Sequence, residues 1–99
     1  MSRFSVYSTP SGQGYIMDIQ ADAISHFNTR IVVPLMPQAN APKPATTLNP
    51  IFVLNGESFI MVTQYMAAIP VKELTTVQFN LQNHHAEIVA AIDLLLQGF

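Results

Sequence analysis

An antiparallel, barrel-like β sheet followed by one C-terminal helix is the fold class that this 99-residue sequence predicts. Three observations point to it. Alternating and β-branched segments, separated by turn residues, fill the first two-thirds of the chain. No βαβ alternation is present, so a parallel sheet would lack its crossover helices. Residues 87–99 instead carry an apolar pattern of helical period, with Ile88, Ile92, Leu95 and Phe99 stepping by four, three and four.

Arg3 to Ser8 reads as a short strand with Phe4 and Val6 on one side. The run Thr9-Pro10-Ser11-Gly12-Gln13-Gly14 is a dense turn signal that closes a hairpin. The returning strand is Tyr15 to Gln20, where Tyr15, Met17 and Ile19 oppose Asp18 and Gln20. Arg30 to Leu35 is a β-branched run that suggests a strand covered on both faces. Pro34 within it requires an edge, a bulge or a strand end. Residues 36–50 form a long loop containing Pro37, Pro42, Pro44 and Pro50, of a length more often functional than incidental.

Ile51 to Leu54, Asn55-Gly56 and Phe59 to Gln64 make the clearest hairpin, because Asn-Gly supplies the positive φ of a primed turn. Ala68 to Glu73 reads as a further strand interrupted by Pro70. Asn80 or Asn83 is placed to cap the last helix, and Glu87 suits the positive end of its dipole. That helix runs apolar to the chain end, so its terminus must be held by the protein's own core, by a second copy or by a partner.

Composition narrows the function classes. The chain is one domain, 49% hydrophobic and only 10% charged, against about 25% charged in an ordinary domain. Such a surplus of apolar area points to a dimer interface or an adhesive face. The net charge of −2 and the scattered Arg3, Arg30, Lys43 and Lys72 leave no basic patch for direct nucleic-acid binding. No apolar run is long enough to span a membrane, and Met1-Ser2-Arg3-Phe4 lacks the core of a signal peptide. The absence of cysteine removes disulfides and thiolate metal sites, and fits a cytoplasmic location.

No constellation for catalysis stands out. His84 and His85 are adjacent and point about 100° apart on a helix, so with Glu87 and His26 they read as surface residues rather than metal ligands. Asp18, Asp22, Glu57, Glu73, Glu87 and Asp93 are isolated, which argues against an enzyme. Met17, Met36, Met61 and Met66 suit either core filling or an adaptable surface. Arg30 on a two-faced strand implies a specific carboxylate, either the chain's own or a partner's.

In order along nearly the whole chain, these landmarks resemble the CcdB toxin family, the gyrase poisons of toxin–antitoxin modules. The resemblance is carried by Phe4-Ser5-Val6-Tyr7, by Met17-Asp18-Ile19-Gln20-Ala21-Asp22 and by Arg30-Ile31-Val32-Val33-Pro34-Leu35. It continues through Asn49-Pro50, Gly56-Glu57-Ser58-Phe59 and Met66-Ala67-Ala68-Ile69-Pro70-Val71, and ends in Ala91-Ile92-Asp93-Leu94-Leu95-Leu96-Gln97-Gly98-Phe99. It implies an SH3-like barrel with a C-terminal helix, no cofactor, and a homodimer whose helix ends sit together. Those ends, here Asp93, Leu96, Gln97, Gly98 and Phe99, would enter DNA gyrase A and trap its cleaved complex with DNA. A CcdA-like antitoxin would neutralise the toxin at positions matching Phe4, Tyr7, Asp18, Arg30, Val33 and Phe59. Operator DNA would be bound only through that complex. Gln97 stands where the family carries tryptophan, which leaves a non-toxic dimeric interaction protein as the alternative. An RNA-cleaving relative on a similar barrel is opposed by the missing basic surface and acid–base pair.

Overall fold

A strand rich in Val and Ile has its backbone pre-set for pairing on both edges, and β3, Thr29–Pro37, uses both. On one side it pairs with β2, Tyr15–Asp18, from Val32 opposite Asp18 to Leu35 opposite Tyr15. On the other side it changes partner. Thr29 to Val32 pair with β6, Ala67–Pro70, and Leu35 to Pro37 pair with β5, Glu57–Met61. A computed structural model gives this arrangement for residues 3–9, 12–24 and 27–98. With β1 (Ser5–Ser8), β4 (Ile51–Leu54) and β7 (Val77–Asn80), the sheet runs β4-β5-β3-β2-β1-β7, antiparallel at every pairing, with β6 off this path on β3.

Pro34 lies mid-strand, not at an edge, bulge or end as expected. Its carbonyl accepts from the Val62 N–H at 3.0 Å. The N–H and C=O of one strand residue share a side, so the missing proline donor faces the handover between β6 and β5, where no ladder bond is lost. One residue thus marks where the sheet divides.

The sheet curls into a half-barrel around one apolar face. Val6, Met17, Val33, Leu35, Phe52, Leu54, Phe59 and Met61 alternate onto that face and are buried with Phe4, Ile19 and Leu81. Helix α1, His85–Gln97, closes it with Ile88 and Ala91. Burying each large aliphatic side chain is worth about 1.5–3 kcal/mol, so α1 is part of the core. The opposite face of β1, β2 and β3 carries a smaller cluster of Tyr7, Val32 and Leu74, flanked by Ile16 and Ile69.

Several boundaries differ from expectation, each for a local reason. β1 begins at Ser5 because Phe4 has φ +69°, while its N–H donates to the Asp18 carbonyl and its carbonyl accepts from Leu81. β5 starts at Glu57, directly after a turn in which Asn55 and Gly56 both have positive φ, and stops at Met61 as Thr63–Tyr65 coil into a 3₁₀ turn. β6 ends at Pro70, and Val71–Glu73 form another such turn. β7 is absent from the expected elements: four residues carry little periodicity, and its ladder to β1 is irregular beside Tyr7. The expected loop of residues 36–50 starts later, because Met36 and Pro37 extend β3 against β5 and Gln38–Asn40 form a 3₁₀ turn. Its remainder is held down by Asn49, whose amide donates to Met61 O and Gln64 Oε1 and whose Oδ1 accepts from the Ala45 N–H.

Helix α1 starts two residues before the expected Glu87. Asn80 does not cap it: its Oδ1 accepts from the Gln82 N–H, at a 3₁₀ lead-in of Gln82–His84 that also contains Asn83. The sealed stripe runs through Ile88 and Ala91, whereas Ile92 is half-buried and Leu95 is 36% exposed. The face is rotated from the expected one, since Ala91 takes a sealed position in the core where the spacing predicts Ile92 and Leu95.

Gly14 tests the register of the first hairpin. It has φ +82°, and a Cβ there would lie 2.6 Å from the Leu35 carbonyl oxygen, whereas at Gly12 a Cβ meets nothing within 4 Å. Gly14→Ala is expected to cost roughly 1–3 kcal/mol more than Gly12→Ala, read as the difference between their urea unfolding midpoints.

Candidate functional site

Asp18 ends β2 and Arg30 is the second residue of β3, two residues apart diagonally across the ladder and on the same face. Both are completely buried. Arg30 Nε donates to Asp18 Oδ2 at 2.8 Å and Nη2 lies 2.7 Å from the same oxygen. Nη2 also donates to the Gln20 carbonyl at 3.2 Å. Asp18 Oδ1 accepts from the Gln20 N–H at 3.0 Å, and Gln20 Oε1 accepts from the Ile31 N–H at 3.1 Å. The carboxylate that Arg30 demands is therefore the chain's own. Arg30 Nη1 is buried with no hydrogen-bond partner among the described residues.

Burial pushes the Asp18 carboxyl above its ordinary value, against the opposing pull of the Arg30 hydrogen bond, the Gln20 N–H and the Arg30 charge. Asp22, 3.7 Å from Arg30 Nη2, adds a further upward push on Asp18. Tyr7, on the same face, is raised first by burial and then by the Asp18 charge.

On the core face, bordering this network through Gln20, lies an apolar groove of about 310 Å³, lined by Ile19, Ile31 and Met66 and, from α1, by Ile92 and Leu96. Arg3 closes one side. Its backbone N–H donates to Asp22 Oδ1, its Nε donates to the Ile19 carbonyl, and its guanidinium stands 4.7 Å over the Phe4 ring. No local pattern announces this groove, since its walls come from the residue after β2, from β3, from Met66 between the 3₁₀ turn and β6, and from α1. Met66, one of the four methionines weighed above, is the one such signal on it, while Met17 and Met61 are buried in the core.

The groove runs to the end of α1. Asp93 is half-buried, Leu96 is 66% exposed, and Gln97 and Gly98 are exposed. Gly98 takes φ +82°, and its N–H donates to the Leu94 carbonyl, a left-handed stop that only glycine adopts without strain. Phe99 and His26 lie outside the described residues. The second group of candidates is placed differently: Phe4, Tyr7, Asp18, Arg30, Val33 and Phe59 are all buried, on both faces of the sheet. His84 Nδ1 pairs with Glu87 Oε1 at 3.0 Å and its ring meets Phe52 edge-on, while the His85 ring meets Phe4. The two imidazoles thus serve separate contacts. No helix among the described residues is long and apolar enough to cross a membrane.

Comparison with known protein families matches residues 3–98 to the family described as CcdB protein.

Arg30→Met strands a buried carboxylate and is expected to lower stability by about 3–5 kcal/mol at neutral pH, whereas Arg30→Met with Asp18→Leu recovers most of that loss. The sign with pH follows from the raised carboxyl. Its contribution favours the folded state below the ordinary carboxylate range and is lost as pH rises through the folded-state value. The single mutant's deficit should therefore shrink on acidification, measured by urea unfolding at neutral and acid pH.

Proposed function

The chain belongs to the CcdB family, and from that membership we propose that it is the toxin of a toxin–antitoxin pair that acts by binding DNA gyrase A. The family is one of toxin–antitoxin toxins, and the observation that carries the finer reading is the last turn of α1. Leu96, Gln97 and Gly98 stand uncovered by the rest of the chain, at the end of a helix whose first two turns are locked in the core. A rigid helix delivering an exposed apolar tip is suited to insertion into a preformed cavity, because little ordering entropy remains to be lost on binding. In this reading Asp93, Leu96, Gln97, Gly98 and Phe99 meet gyrase, two copies pair with their tips together, and the trapped species is the gyrase–DNA cleavage complex. The toxin itself makes and breaks no bond.

A CcdA-like antitoxin covers the same region in this reading. Phe4, Tyr7, Asp18, Arg30, Val33 and Phe59 would act on it from below, by fixing the shape of the surface. Their own side chains are enclosed. Gln97 favours one second reading. Glutamine offers less apolar area than the family's tryptophan and keeps an amide to satisfy, so a dimeric interaction protein without poisoning activity is the competing assignment.

Two variants separate these readings. Gly98→Glu places a charge on the tip where a Cβ meets nothing within 4 Å. The strain of its positive φ falls on the helix end, outside the core, so the fold should persist while growth inhibition is lost. Gln97→Trp is expected to tighten gyrase binding at least about tenfold, the scale of a buried aromatic anchor. Induced expression in ordinary cells and in cells whose gyrase A resists this toxin family provides the measurement. Equal growth of both strains with the unmodified protein would select the non-toxic assignment.

A further inference from the structure

The outer edge of β4 is open. The Pro50 carbonyl accepts from the Met61 N–H at 2.9 Å, and Phe52 and Leu54 stand opposite Phe59 and Glu57. Backbone groups alternate in direction along an antiparallel strand. Those of Pro50, Phe52 and Leu54 therefore face β5, and those of Ile51 and Val53 face away from the sheet. β4 ends the strand order, and the backbones of Ile51 and Val53 make no hydrogen bond among the described residues. The side chains of the same two residues are 45% and 68% exposed.

Sheet edges are ordinarily guarded by charge, proline or a bulge. β6 ends in Pro70, and β7 carries Gln78 and Asn80 with an irregular ladder beside Tyr7. β4, Ile51-Phe52-Val53-Leu54, has neither charge nor proline nor bulge.

We infer that β4 pairs with β4 of a second copy, antiparallel, about a two-fold axis through Phe52. What selects a second copy over an unrelated strand is that the edge is complementary to itself. In this register Ile51 of each copy stands opposite Val53 of the other. The two N–H and two C=O groups that each copy presents then meet in four hydrogen bonds, with none of the eight groups left over. The exposed β-branched side chains become cross-strand neighbours, the pairing that stabilises sheets, while Phe52 stays in its own core. The contact pairs three residues of each copy, well below the roughly 1,000 Å² expected of a stable interface, so it forms reversibly at high concentration. It shares no residue with the helix tip and does not depend on the gyrase reading.

The test uses the full chain over a concentration series, with sedimentation velocity for mass and amide exchange by NMR for the edge. Association beyond the tip-paired dimer should rise with concentration while the Ile51 and Val53 amides become protected. Val53→Lys should weaken association at least about tenfold, because it sets charge into both symmetric pairs. Val77→Lys on the opposite edge, also at an exposed position, should leave it unchanged. Ile51 and Val53 amides that exchange equally fast at every concentration would overturn the inference, including where a dimer forms through another surface. So would association beyond the tip-paired dimer that Val53→Lys leaves intact. Either failure leaves the gyrase reading standing, since Val53→Lys does not touch the tip.

Discussion

The contact between Asp18 and Arg30 is the constraint around which the rest of this molecule is arranged. Two opposite charges are sealed at the junction of β2 and β3, where desolvation is costly and only good geometry offsets it. The geometry is supplied by the chain's own turn: Gln20 bonds back to Asp18 through its N–H, to Arg30 through its carbonyl and to Ile31 through its side chain. A one-residue slip of β2 against β3 would move one of the two charges to the apolar face and leave both without a partner. The ion pair therefore specifies the alignment as much as it stabilises it.

The fold divides its labour along β3. Its first half pairs with β6 and carries the charged network; its second half pairs with β5 and carries the main core. Pro34 sits at the division, where a missing donor is harmless. On the core side, Ile88 and Ala91 lock the start of α1 to the sheet, and the end of the helix projects beyond it. A rigid base with a free tip follows from where the apolar stripe stops. Past Ala91 the helix has less sheet beneath it, and Leu96 remains in solvent.

Much of this is legible in the residues, and what is not has a common cause. The hairpin at Asn55-Gly56 is legible because positive φ at two successive positions is a local demand that few residue pairs meet. The alternation at Tyr15 to Asp18 locates a strand for a similarly local reason. β7 escapes a reading of the residues because Val77–Asn80 has no preference of its own strong enough to register; its ladder to β1 makes it a strand. Arg30 is recognisable as needing a carboxylate, yet nothing local distinguishes Asp18 from a foreign group, since the pairing spans twelve residues. Phe4, Tyr7, Val33 and Phe59 can be named as candidates along the chain, but their enclosure is a property of the assembled sheet. The groove lined by Ile19, Ile31, Met66, Ile92 and Leu96 joins positions far apart in order, and is invisible for the same reason.

By itself the sequence determined the order of the helix and of every strand but β7, the primed turn, the apolar terminus with its glycine stop, and membership of the family. Each of these is written in neighbouring residues or in their order, where backbone preference and side-chain period act over a few positions. Tertiary structure alone decided which strand β3 pairs with along each half, which carboxylate meets Arg30, how α1 is rotated, and which surface stays open. Those outcomes depend on which distant groups share one dehydrated space, and burial is a property of the whole packed chain.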